Sequence, residues 1–430
     1  MAEESFFSMF AEKLPKSIKD LVPMEPHGSW ARSLYLSRWN PYSASSNPNS
    51  AVVVCDGSLG ESSFMGGLVA WVARAVAHIY ARDGSVATMP DVAVEVGYML
   101  EGQSLFMKSL ELQVLRKAVE KALWDHKRVF AVFDGSLYLT FFHYLPRLES
   151  VVGMFERYLK ELGLLLQLSR EDGVAILGLS KDSDVSYLRA RILLDALLGV
   201  DADVGRELAL RERSVRRIAE RLRSRVEGLP KESLLRSYLM EFELGFSDEG
   251  LYSEIASEPG FTTPLLLAPQ THFVTEEIER GTRSWWESTF RKRLERSEKL
   301  SPLMGALDGF YALPPIAIFY WKPRPELGAY RVDTPSNLLG YRGDCGSLQE
   351  DIFTDDRGLE AVQSLVATLN WLSREPYVVN PLTEVDAIVR FDRRLYKQAY
   401  EPVIIEELRK KGFKIFPRKR SVRDFVLRGY

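Results

Sequence analysis

Cysteine is nearly absent: Cys55 and Cys345 are the two in 430 residues. They can build neither a disulfide framework nor a zinc site, which fits a reducing cytoplasm. Histidine is also sparse. His27, His78, His126, His143 and His272 lie far apart, with none of the short spacings that zinc requires. No apolar run approaches the roughly 18 residues that span a bilayer, so no membrane segment is expected. An excess of one charge is missing too, because 56 Lys and Arg stand against 59 Asp and Glu, a formal net charge of −3. A nucleic-acid partner would have to be met by local basic patches rather than a global field. No Gly-x-x-x-x-Gly-Lys-Ser/Thr loop occurs, so ATP-driven motion would have to come from another chain. Length predicts two or three domains, or one large core carrying an insertion.

Against these absences stands one phrase present twice: VVVCDGSL at 52–59 and VFAVFDGSL at 129–137. Each is an apolar run closing on Asp-Gly-Ser, which reads as a buried strand that the chain leaves sharply at the glycine. Asp56 and Asp134 would then sit at the mouths of two core strands. If the strands are neighbours, two carboxylates face each other, and a divalent cation is the usual remedy. Asp-Gly is also an ordinary turn dipeptide, and two strand-ending turns remain the plain alternative.

Around these copies the chain alternates its periods. The N-terminal MAEESFFSMFAEKLPKSI reads as an acidic amphipathic helix rather than a signal peptide, packed on the body or on a second subunit. A Ser, Asn and Pro-rich loop follows. GGLVAWVARAVAHIY suits helix or strand, and its flanking glycines and the ARDGSV turn favour a strand. DVAVEVGYML alternates at Val92, Val94 and Val96, so 51–100 reads as a three-stranded meander. Residues 104–124 take helical period, with Leu115, Ala118, Val119 and Ala122 on one face. Glu111 shares that face, whereas Glu120 falls on the polar side. A helix at about 148–168 leads to Val174–Ser180 and then Lys181.

Residues 201–305 read as a mostly helical insertion. Its arginine-rich helix is interleaved with glutamates, as a solvated face would be or a DNA-binding one. Trp285 and Trp286 beside Arg291, Lys292 and Arg293 suit stacking on single-stranded bases, or a buried helix edge. Strands return at 316–321 and 329–332, then a helix at 358–373. The basic tail 409–430 suits either a solvated terminus or a phosphate-tracking arm. The predicted division is therefore an N-terminal helix and loop (1–50), a core of 51–200 with 306–430, and the insertion at 201–305.

The order strand, strand, strand, helix, strand, helix, strand is that of an RNase H-like core. The fold class expected is accordingly α/β, a mixed sheet flanked by helices. CDGSLGES with its following strand, a glutamate-bearing helix leading into VFDGSL, ILGLSKDSDVSYL, and the late segment Tyr377–Asp386 occur in one order. In that order they resemble the NurA family, archaeal and bacterial nucleases. The resemblance spans roughly 51–200 and 310–395. It implies a metal-dependent deoxyribonuclease, a 5′-to-3′ exonuclease and single-strand endonuclease acting in DNA end resection and double-strand break repair. It further implies a homodimer docked on a HerA-type hexameric ATPase.

By this resemblance Asp56, Glu111, Asp134 and Asp386 would hold Mn²⁺ or Mg²⁺, as two ions. Glu384 is the alternative fourth carboxylate and Glu120 the alternative helix ligand. Lys181 would meet the scissile phosphate, although beside Asp182 it also reads as a surface lysine. Tyr377 would touch the DNA backbone or serve as a structural tyrosine. One departure is Asp386, which stands where the family usually carries histidine. A catalytically inactive homologue, kept as a DNA-binding subunit, is the competing reading.

Overall fold

The computed structural model describes residues 2–18, 29–138, 148–211, 215–230, 233–268, 298–299, 301–348, 350–374 and 378–415. Three long strands open the core: β2 (Ala51–Ser63), β3 (Leu68–Tyr80) and β4 (Val86–Tyr98), after helix α2 (Ser29–Leu36) and a short β1 (Trp39–Pro41). Helix α3 (Gln103–Asp125) returns the chain to β5 (Val129–Asp134), and α4 (Leu148–Leu168) returns it to β6 (Val174–Ser180). These five strands lie in the order β4-β3-β2-β5-β6, with β2, β5 and β6 parallel and β3 antiparallel to its neighbours. This is the RNase H-like arrangement expected from the sequence.

The sheet continues past β6 through β10 (Tyr330–Pro335) to β9 (Ile316–Lys322), both antiparallel. Two short strands, β7 (Gly260–Thr262) and β8 (Leu265–Leu267), share the far edge of β9. β1 extends β7, and β11 (Ile352–Phe353) extends β8. Within 201–305, helices α6 (Ala202–Arg211), α7 (Val215–Val226), α8 (Leu234–Glu243) and α9 (Asp248–Ile255) precede the β7 and β8 strands. The helical α5 (Tyr187–Val200) leads into them.

A core lies on each face of the sheet. Val53 and Cys55 of β2 point to the side covered by α3, α4 and α5, while Val52 and Val54 point to the other. That other side is covered by α11 (Asp356–Leu372) and α12 (Asn380–Val389), numbered after α10 (Pro302–Tyr311). β3 is apolar on both faces because both are covered, which is why its sequence fits neither period cleanly. β4 is the sheet edge, and there the alternation inverts the usual sense. Val92, Val94 and Val96 face solvent, and Ala93 packs on the core. On helix α1 (Ala2–Ile18) the apolar side chains Phe6, Phe7, Met9, Phe10 and Leu14 are all exposed.

Candidate active site

The first Asp-Gly-Ser does not end its strand. β2 runs straight through it to Ser63, still paired with β3. It is the parallel partner that leaves: the β2–β5 ladder stops at Cys55 opposite Phe133, and β5 ends at Asp134. One step further on, Asp56 and Asp134 therefore stand side by side at a point where the sheet opens. The second copy does turn. Gly135 has φ of +144°, a conformation side chains disfavour, and its N–H still reaches Leu179 O at 2.9 Å.

Gly57 serves a different purpose. The Glu111 side chain lies over it, so that a Cβ there would fall inside contact distance of the Glu111 Cγ and Oε1 atoms. α3 is held against β2 by its apolar face, and the Cys55 thiol bonds to Glu111 O at 3.4 Å. Glu111 is 3 % exposed, whereas Glu120 pairs with Arg116 at 2.8 Å on the outer face. Helical phase alone separated the two glutamates correctly in space.

Asp386 enters from the opposite face of the sheet. Helix α12 lies along β2, and its C-terminal end is tied down by Arg74, which donates to Val389 O and Arg390 O and stacks on Phe391 at 4.2 Å. Ser58 also donates to Val389 O. Asp386 thereby acts electrostatically on Asp56. Glu384 does not join the cluster: it accepts the Tyr80 hydroxyl at 2.6 Å near the start of α12. Lys181, just beyond β6, bonds Asp134 at 2.8 Å.

The electrostatics follow from this crowding. Burial, then the Asp134 carboxylate, then Asp386 push Asp56 up to about 6, against the Gly57 N–H and Lys181. Burial, then Asp56, with Asp134 adding, push Glu111 up to about 8, opposed by Lys108. The four carboxylates offer an all-oxygen donor set for a hard divalent cation, whose charge would relieve the repulsion. Among the described residues, no three such groups are already closed into one coordination sphere. The chemistry of the donors fits the ion, with Lys181 supplying the positive charge in this arrangement.

Two supports were not foreseen. Asp333, fully buried on β10, accepts from Ser136 Oγ at 2.6 Å, Leu137 N at 2.9 Å and Tyr138 N at 3.1 Å, and pairs with Arg331 at 2.7 Å. It anchors the turn that follows Asp134. Glu249 on α9 accepts from Asp182 N at 3.1 Å and Ser183 N at 2.9 Å, holding the turn after Lys181, where Asp182 has φ of +56°. Asp333 sits two residues from a buried arginine in an apolar strand, which was a readable signal; nothing local marks Glu249. Tyr377, Trp285, Trp286, Arg291, Lys292 and Arg293 lie outside the described residues.

A family model described as the NurA domain matches residues 50–339, more than half of the chain. That span contains Asp56, Glu111, Asp134 and Lys181 and stops before α12. No curated protein matches the chain by sequence. Among solved structures, the crystal structure of the NurA nuclease from Sulfolobus solfataricus is similar at 14% identity and a TM-score of 0.46, covering 96% of each chain. A crystal structure of NurA with manganese is similar at 11% identity and a TM-score of 0.41, covering 94% of this chain and 97% of the other.

Proposed function

Since this chain belongs to the NurA family, we propose that it is a nuclease, hydrolysing DNA phosphodiester bonds with divalent cations held by Asp56, Glu111, Asp134 and Asp386. The observation that carries this reading is the convergence of those carboxylates, from one strand end, one mid-strand position and helices on both faces of the sheet. Structural ion pairs are normally neutralised, whereas here, among the described residues, Lys181 bonds one of the four carboxylates and Lys108 acts on Glu111 at longer range. When bound, Mn²⁺ or Mg²⁺ ions supply the Lewis acidity that activates water and steadies the leaving oxygen. Asp56, on which both Asp134 and Asp386 act, would be a ligand central to the set. Glu111, Asp134 and Asp386 would supply the remaining carboxylates. Lys181 is suited to move from Asp134 to the scissile phosphate as the strand enters, a short side-chain motion at a half-exposed position. The Asp386 carboxylate would fill the place of the usual histidine as a ligand rather than a neutral base.

The finer reading is a 5′-to-3′ exonuclease and single-strand endonuclease in DNA end resection and double-strand break repair. Its partners would be a HerA-type hexameric ATPase and a second copy of the chain, in the cytoplasm. Support for a homodimer comes from the exposed apolar rows of α1 and β4. Among the described residues no helix is long and apolar enough to cross a membrane. The testing experiment is cleavage of a 5′-labelled and a 3′-labelled single-stranded oligonucleotide with Mn²⁺, Mg²⁺ or EDTA. Metal-dependent cutting is expected, and the two labels give its polarity. No cutting with any ion, even with a HerA-type ATPase added, would instead leave a structural DNA-binding subunit.

Two smaller effects follow from the geometry. Gly57→Ala forces the Glu111 side chain off its place over β2; the expected result is about a hundredfold loss of cleavage from one methyl group, with circular dichroism unchanged. Glu249→Ala removes both anchors of the turn after Lys181 and is expected to slow cleavage about tenfold. In a Lys181→Ala background the same substitution should add almost nothing; full additivity in this double-mutant cycle would separate Glu249 from Lys181.

A further inference from the structure

A cleft opens at the other end of α12 from the carboxylate cluster. It encloses about 720 Å³ between the start of β2, the β3–β4 turn and the N-terminal end of α12, with Arg82, Arg374, Trp371, Tyr80, Asn380 and Glu384 among its walls. The charges in it are uneven in their engagement. Glu384 is taken up by the Tyr80 hydroxyl at 2.6 Å, and that hydroxyl lies 3.2 Å from His78 Nδ1. Arg82 and Arg374 are both exposed, and neither guanidinium has an ion-pair partner among the described residues. Arg374 lies over the Trp371 ring at 5.5 Å, so a cation and an aromatic plane are presented together.

Two exposed guanidiniums with no ion-pair partner among the described residues suit phosphate oxygens, and an indole beside them suits a base face. The cleft is also tied to the carboxylate cluster. Its floor includes Val52, and Asp56 is four residues along the same strand, roughly 13 Å at the usual rise. Helix α12 bridges the interval, with Asn380 and Glu384 in the cleft and Asp386 acting on Asp56. We propose that this cleft is a secondary binding site for single-stranded nucleic acid, gripping phosphates with Arg82 and Arg374 and a base against Trp371. It rests on the nuclease reading, because the strand it holds is the one presented to Asp56.

The test is fluorescence anisotropy of a 5′-labelled single-stranded oligonucleotide in EDTA, with the full chain and its R82A/R374A variant across a salt series. Both positions are exposed, so the variant is expected to fold. Its affinity should fall about tenfold and its log–log salt slope should become shallower by about 1.4, the share of two phosphate contacts on a single strand. In Mn²⁺ the variant's KM for the oligonucleotide should rise with kcat retained. If the parent chain cuts DNA and the variant matches it in affinity, slope and KM, the cleft assignment falls while the nuclease reading stands. A parent chain that neither binds nor cuts overturns both. Displacement of the oligonucleotide by a deoxynucleoside monophosphate at equal phosphate concentration would mark a pocket for free nucleotides, and would overturn the strand assignment.

Discussion

Asp56→Asn and Asp134→Asn are each expected to lower oligonucleotide cleavage by about a thousandfold or more, about 4 kcal/mol of transition-state stabilisation. Asparagine keeps the shape and the oxygen but removes the charge. Asp56 would be a metal ligand, and the Gly57 N–H now bonding its Oδ1 at 2.7 Å can still be accepted by the amide oxygen. The fold should therefore survive. At Asp134 the substitution also breaks the 2.8 Å pair with Lys181, freeing that ammonium. The two losses should not add: once one carboxylate is gone the ion is lost with it, and the double variant should be about as inactive as either single one. Rates measured for both single variants and the pair, at saturating Mn²⁺, check this. Near-normal cleavage in either single variant would remove it from the metal site, and simple additivity would mean that the two aspartates act independently.

How far this site could be read in advance depends on which interaction fixed each residue. The Asp-Gly-Ser pair was legible because parallel strands in register leave the same chemical signature, an apolar run with an acid at its end. What the phrase could not tell was that β2 continues and β5 stops. That difference is set by the partners, since β3 pairs with β2 along its whole length. Glu111 was legible as a carboxylate on an apolar helical stripe, and its burial against Gly57 is the reason. The succession of strands and helices was legible from the periods of the segments, and the strand order in the sheet from its match to an RNase H-like core. The outward valines of β4 defeated the usual rule, because alternation reports two unlike faces without saying which is covered. Glu249 was illegible for a plain reason: its partners are backbone N–H groups 66 and 67 residues away in sequence, and backbone donors are present everywhere.

The buried glutamate carries a second large effect, on stability. In the folded chain Glu111 is pushed up to about 8 from the ordinary 4.5, burial first and the Asp56 charge second. The folded state thus holds a proton that the unfolded chain has released. Between about pH 4.5 and 8 folded protein binds more protons than unfolded, so stability falls as pH rises through this window. Above it the metal-free protein carries a buried, repelled charge. Glu111→Gln removes that charge and keeps the volume. It should leave stability almost unchanged below pH 4.5 and raise it by about 4 kcal/mol at pH 9. Denaturant unfolding of both proteins in EDTA at pH 4.5, 7 and 9 checks the sign. Adding Mn²⁺ should reverse the ranking, since an ion that binds only the folded, deprotonated cluster stabilises the parent chain and not the variant. Its apparent affinity should climb with pH as Asp56 and then Glu111 lose their protons. A variant that is less stable than its parent at pH 9 in EDTA would mean that Glu111 is a neutralised structural group, and its place among the ligands would have to be given up.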